Sequence, residues 1–94
     1  MNTYVITYDL SGQTFSPQTR YNEIEKTIKS MGPWAKVATT TFLVNSGKGP
    51  VELRTALAPY FTPNDKLFIC VATKPAAWAG MSDPVRDWLL GTMI

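Results

Sequence analysis

The chain has 94 residues, 45% of them hydrophobic and 17% charged, with a formal net charge of +2. That is enough for one compact domain with a buried core, and the composition does not suit a disordered chain or one dominated by a basic nucleic-acid face. With no histidine and one cysteine, the chain cannot build a Ser-His or Cys-His dyad, a histidine-ligated zinc site, an intramolecular disulfide or a cysteine-cluster metal site.

The first strand spans about Thr3 to Tyr8 by alternation, with Tyr4, Ile6 and Tyr8 on one face and Thr3, Val5 and Thr7 on the other. Neither face is strongly polar, so the strand is expected to be central in its sheet. It runs directly into Asp9, a carboxylate at a strand's C-terminal end, where α/β folds tend to place functional groups. Ser11 to Ser16 reads as a loop, with Ser16 as N-cap and Pro17 at the first helical position. The first helix is predicted from Pro17 to about Met31, with Tyr21, Ile24, Ile28 and Met31 as its buried stripe. Gly32-Pro33 stops it, glycine suiting the left-handed cap position.

Trp34 to Ala38 and Thr40 to Asn45 read as two strands joined by a tight turn near Thr39. Ser46-Gly-Lys-Gly49 is a connecting loop, and Pro50 opens a second helix whose buried face is Leu53, Ala56, Leu57 and Tyr60. Pro59 is expected to end or distort that helix. Thr62-Pro-Asn-Asp65 is a turn by composition. Lys66 to Thr73 is the last strand, apolar on both faces, so both sides require cover. An irregular stretch from Lys74 to Met81 leads to Ser82, which N-caps a short helix with Pro84 early in it and Val85, Trp88 and Leu89 as apolar contacts.

The predicted fold class is α+β: a ferredoxin-like β-α-β-β-α-β sandwich with an extra short C-terminal helix, forming a single domain over residues 1–94. Two helices cover one sheet face. The C-terminal helix is expected to cover part of the other, and a second subunit stacked sheet to sheet the remainder, which makes a homodimer the expected state. No apolar stretch is long enough for a transmembrane helix, and Met1 is followed at once by a strand, so the expectation is a cytoplasmic protein without membrane partners.

Several of these residues resemble a known family. Tyr8-Asp9-Leu10 closing the first strand, Arg20 opening a helix, Gly32 ending it, and Thr39-Thr-Thr-Phe-Leu-Val44 as third strand look like the CRISPR-associated Cas-two-like superfamily, whose relatives include the VapD toxins and the SinR-like proteins. Trp78-Ala-Gly-Met-Ser-Asp-Pro-Val-Arg-Asp-Trp-Leu89 is most similar to the SinR-like branch. The resemblance implies a ferredoxin-like homodimer. In typical members the acidic residue ending strand one faces its symmetry mate, and the pair is proposed to hold a divalent metal for phosphodiester cleavage. Other members are non-catalytic scaffolds that hold DNA for a partner protein. Asp9 carries over as catalytic and metal-binding residue, and Arg20 as a phosphate contact.

Read from the residues alone, Asp9 has two roles open to it. One carboxylate per chain, doubled by a two-fold axis, meets the minimum that magnesium or manganese requires. Alternatively, Asp9 caps the loop after strand one by accepting backbone N–H bonds. Ser46-Gly-Lys-Gly49 lacks the second half of a phosphate-binding loop motif, which leaves Lys48 as a phosphate-backbone contact on an ordinary loop. Trp34, Trp78 and Trp88 suit the core, or base stacking if exposed. Tyr4 and Tyr8 suit a sheet-to-sheet interface, and Cys70 an inert core position. Three functions remain: a non-catalytic DNA- or RNA-binding or adaptor module in a prokaryotic defence or mobile-element system, a magnesium-dependent endonuclease acting through Asp9, and a protein-interaction module without nucleic acid.

Overall fold

A computed structural model describes residues 1–11 and 17–93; the expected Ser16 cap lies outside them. The elements are β1 (Asn2–Asp9), α1 (Pro17–Lys29), β2 (Trp34–Ala38), β3 (Thr41–Ser46), α2 (Pro50–Leu57), a 3₁₀ turn (Ala58–Tyr60), β4 (Lys66–Val71) and α3 (Asp83–Thr92). The four strands form one antiparallel sheet in the order β2-β3-β1-β4. β1 is central, as its two apolar faces require.

The register places Tyr4 beside Val44 and Ile6 beside Phe42. These side chains, with Tyr8 and Leu10, face α1 and α2 and pack against Ile24, Ile28, Leu53 and Leu57. Complete burial of an isoleucine or leucine side chain contributes about 1.5–3 kcal/mol, so this helix-side layer is the principal core. Tyr4 and Tyr8 lie beneath the helices, not at a sheet-to-sheet interface. The Tyr4 hydroxyl donates to the Lys48 carbonyl at 2.7 Å, while the Tyr8 ring packs between Tyr21 and Phe61.

The opposite face is covered within the chain over part of its width. Leu89 of α3 and Met93 just after it pack on Leu43, with Val5, Val37, Trp78, Met81, Val85 and Trp88 around them. α3 lies toward β2, so its cover stops short of β4. This corrects the expectation for the last strand. β4 is an edge strand ending at Val71, and Phe68, which shares the α3 side of the sheet with Val5 and Thr7, is 61% exposed.

Local chemistry accounts for the element ends. Pro59 removes the donor that a further α-helical turn would need, and α2 tightens into a 3₁₀ turn at Ala58. Glu52 reaches back to accept the Gly49 N–H at 3.3 Å, closing the N-terminus of α2 behind Pro50. Ala56 is exposed, leaving Leu53 and Leu57 to anchor that helix. Ser82 is the N-cap of α3, as expected, but its hydroxyl makes no capping bond; its carbonyl accepts the Arg86 N–H at 2.8 Å.

Gly32 does more than terminate α1. Its φ of 154° lies outside the left-handed helical cap region, and a Cβ there would collide with the Asn45 carbonyl oxygen. The glycine is required because the chain passes directly against β3, where the Asn45 N–H donates to the Pro33 carbonyl at 2.8 Å. Gly32→Ala is expected to destabilise the protein by roughly 1–3 kcal/mol in denaturant unfolding, whereas Gly47→Ala, where a Cβ meets open space, changes stability far less.

Candidate functional site

Asp9 ends β1 and is exposed. Its Cα partner across the ladder is Lys66, the first residue of β4. Among the described residues Asp9 makes no hydrogen bond or ion pair. It borders a shallow hollow of about 170 Å³ formed with Thr7, Tyr8, Lys66, Leu67 and Phe68. No group of three or more acidic, histidine or cysteine residues is placed to share a metal ion among the described residues.

The loop-capping role considered for Asp9 belongs to Asp65. Its side chain is fully excluded from solvent. One oxygen accepts the Ser11 N–H at 2.7 Å, and the other accepts the Thr62 N–H at 2.6 Å and a short charge-assisted bond from Arg20. Burial pushes this carboxyl up, but the N–H groups of Thr62 and Ser11 and the Arg20 guanidinium outweigh it and hold the group well below the usual carboxylate range. Asp65 therefore ties together the exit of β1, the first turns of α1 and the turn before β4.

Arg20 is the cationic half of this clamp. Besides Asp65, its guanidinium donates twice to the Tyr60 carbonyl, at 2.9 and 3.3 Å. Its third nitrogen is buried without a hydrogen-bond partner. The side chain expected to contact phosphate is thus directed inward, into the seam between α1 and the 3₁₀ turn. Sequence reading identified Arg20 and treated Asp65 only as a turn residue. The two lie 45 positions apart, so no local spacing joins them.

Lys48 stands at the other end of the sheet. β3 ends at Ser46 opposite Asn2, so Asp9 and Lys48 are separated by the length of β1, roughly 20–25 Å. The Lys48 N–H donates to the buried Ser46 hydroxyl at 3.1 Å, an ordinary loop turn. Its side chain borders a cavity of about 260 Å³ between the end of α1 and α2. The candidate residues therefore form no single site: Asp9 and Arg20 share one end of the sheet, and Lys48 lies at the other.

Tyr8 is buried, and its hydroxyl has no hydrogen-bond partner. Burial, then the nearby Glu25 carboxylate and Tyr21, push its pKa up to about 12, which excludes it as an acid–base group near neutrality. Among the three tryptophans, Trp78 and Trp88 pack in the α3 layer, whereas Trp34 on the edge strand β2 is 38% exposed.

No family model matches the sequence, and no curated protein matches it. Among solved structures, the chain is similar to the crystal structure of Streptococcus pyogenes Cas2, with a TM-score of 0.58, 18% identity, and coverage of 74% of this chain and 84% of that one. The fold is Cas2-like. No helix among the described residues is long and apolar enough to cross a membrane.

Two outcomes test this description. Removing the charge with Asp65→Asn strands Arg20 in a partly buried seam and is expected to cost about 3 kcal/mol in chemical unfolding. Because the native Asp65 pKa is depressed, its contribution is present above the unfolded value of about 3.9 and is lost as pH falls through the native value. The stability of Asp65→Asn should accordingly vary less than that of the wild type in the acid range. Tyr8→Phe removes an unpartnered hydroxyl and should leave stability within about 1 kcal/mol of wild type, or raise it.

Proposed function

We propose that this chain is a small Cas2-like protein that binds nucleic acid as a homodimer without cutting it, in the manner of an adaptor, within a ferredoxin-like single domain. The order β2-β3-β1-β4, with α1 and α2 on one face, supports the ferredoxin-like reading. The observation that carries the functional reading is the setting of Asp9. It is the lone exposed carboxylate at its strand end, its ladder partner is a lysine, and the nearby Asp65 is consumed by the structural clamp. A lysine as cross-strand neighbour disfavours a divalent cation at Asp9.

A second subunit would cover the part of the sheet that α3, lying on the β2 side, leaves open. Exposed apolar side chains remain on the edge strand, Phe68 on the α3 side and Val71 on the helix side, with Val51 of α2 near Phe68. An exposed edge strand with apolar side chains is a surface that proteins ordinarily cover.

The test is an electrophoretic mobility assay with short DNA and RNA at low salt, where phosphate-driven binding is strongest. The proposal expects retarded complexes that dissolve as salt is raised; no shift of any nucleic acid overturns it. The competing reading, a magnesium-dependent endonuclease, is favoured by the exposure of Asp9 and its freedom from a structural role. Under it, Asp9→Asn abolishes cleavage, while stability stays within about 0.5 kcal/mol because no described contact is lost. Under the adaptor reading, Asp9→Asn retains binding, and magnesium-dependent cleavage is absent from both proteins.

A further inference from the structure

We propose that the strip formed by Trp34 and Lys36 of β2 with Lys26 and Lys29 of α1 is a binding site for single-stranded nucleic acid, with one base stacked on Trp34 and adjacent phosphates held by the three lysines. This inference rests on the nucleic-acid-binding reading above and assigns it a surface.

The placement follows from register and helical spacing. Trp34 pairs with Val44 and Lys36 with Phe42, so both side chains rise from the helix side of the sheet at its β2 edge. There they meet the outer face of α1. A groove of about 370 Å³ runs along that face between Asn22, Glu25, Lys26 and Lys29. The Lys29 ammonium lies 4.5 Å from the Trp34 ring centroid, and the Lys36 ammonium 5.8 Å from that of Phe42. Glu25 accepts from Lys29 at 3.1 Å and from Lys36 at 3.2 Å, which holds both ammoniums at the rim of the strip. Three ammoniums against one carboxylate leave the strip cationic. The Lys26 side chain has no hydrogen-bond or ion-pair partner among the described residues.

Trp34 is the aromatic element of this surface. Its ring is set edge-on to Phe42 at 6.2 Å, which fixes its orientation without burying it. Stacking a base on an aromatic face contributes about 1–3 kcal/mol and tolerates any sequence, and lysines beside the ring supply the backbone term. A base stacking on Trp34 displaces the Lys29 ammonium that now lies over the ring, and the displaced lysine is then free to pair with the adjacent phosphate. A duplex has no free base face to offer, so the site selects single strands.

The experiment is fluorescence anisotropy with fluorescein-labelled oligothymidylate and oligouridylate, with a duplex of equal length as comparison. Trp34→Ala should weaken single-strand binding by on the order of tenfold or more, and Trp34→Phe should retain most of it. Lys26→Gln, at an exposed position with no described contact to lose, should reduce the salt dependence by about one phosphate. Thermal unfolding of each variant verifies the fold. Comparable loss with both oligonucleotides assigns the site to single strands in general, and loss with one alone assigns it to that backbone. If the wild type binds neither, this inference and the nucleic-acid-binding reading fall together. If the wild type binds but Trp34→Ala and Lys26→Gln match it, or if it prefers the duplex, the strip is not the site while the broader reading stands.

Discussion

The arrangement at the Asp9 end of the sheet depends on one buried carboxylate. Asp65 is excluded from water, and a buried charge is tolerated only where its oxygens are fully bonded. Here the donors come from three separate segments: Ser11 after β1, Arg20 on α1 and Thr62 before β4. The requirement to satisfy one charge thus brings the chain's first turn, first helix and last strand into fixed relation. Lys66 follows Asp65 directly and pairs in register with Asp9. The clamp therefore anchors the strand start that faces Asp9, while leaving the Asp9 carboxylate itself in solvent.

The sheet imposes a second constraint, because β1 is apolar on both faces. The helix-side layer is closed by α1 and α2 with fully buried aliphatic side chains. On the other side, α3 turns Leu89 and Met93 onto Leu43, and Trp78 and Met81 fill the margin. An apolar cavity of about 300 Å³ remains under this cover, lined by Val5, Leu43 and Ala72 among others. Cover from within the chain changes how such a sheet can assemble. A face-to-face stack of two sheets must now be made beside α3, on the β4 half, where Phe68 stands exposed.

Most of the fold was legible in the sequence. The Ile24/Ile28 stripe, the Pro50 and Pro59 boundaries and the alternation in β1 are local patterns, and local patterns predict the elements they occupy. The cover on β4 was not legible, because its apolar residues look alike whether the strand is central or at an edge; only pairing decides. Trp34 and Trp88 show the same limit, as similar residues of which one stands exposed on the edge strand and the other is half-buried in the α3 layer. At the candidate site, Asp9 was visible as a carboxylate ending a strand. The roles of Arg20 and Asp65 were not, since their bond joins positions 45 residues apart and arises only once α1 and the turn before β4 are brought together. The collision that demands Gly32 is likewise a contact with β3, although the glycine itself was visible as a helix stop.

The two ends of the sheet carry different chemistry, and this bears on whether binding and cleavage can coincide. Asp9 and the Asp65 clamp lie at the C-terminal end of β1. Trp34, opposite Val44, and Lys48, just beyond β3, lie toward the N-terminal end, with the Lys26–Lys29 face of α1 close to Trp34. A nuclease needs its metal at the phosphate being cut, within a few ångströms of its carboxylate ligands. A strand held on the Trp34 strip would lie along β2, two strands away from Asp9 on β1 and toward the other end of the sheet. Glu25 holds two of the strip's lysines at one end, while at the other the ladder partner of Asp9 is a lysine, Lys66. On the proposed reading, a nucleic acid on the Trp34 strip would leave Asp9 clear of it, so binding there and metal-dependent cleavage at Asp9 would be separate events.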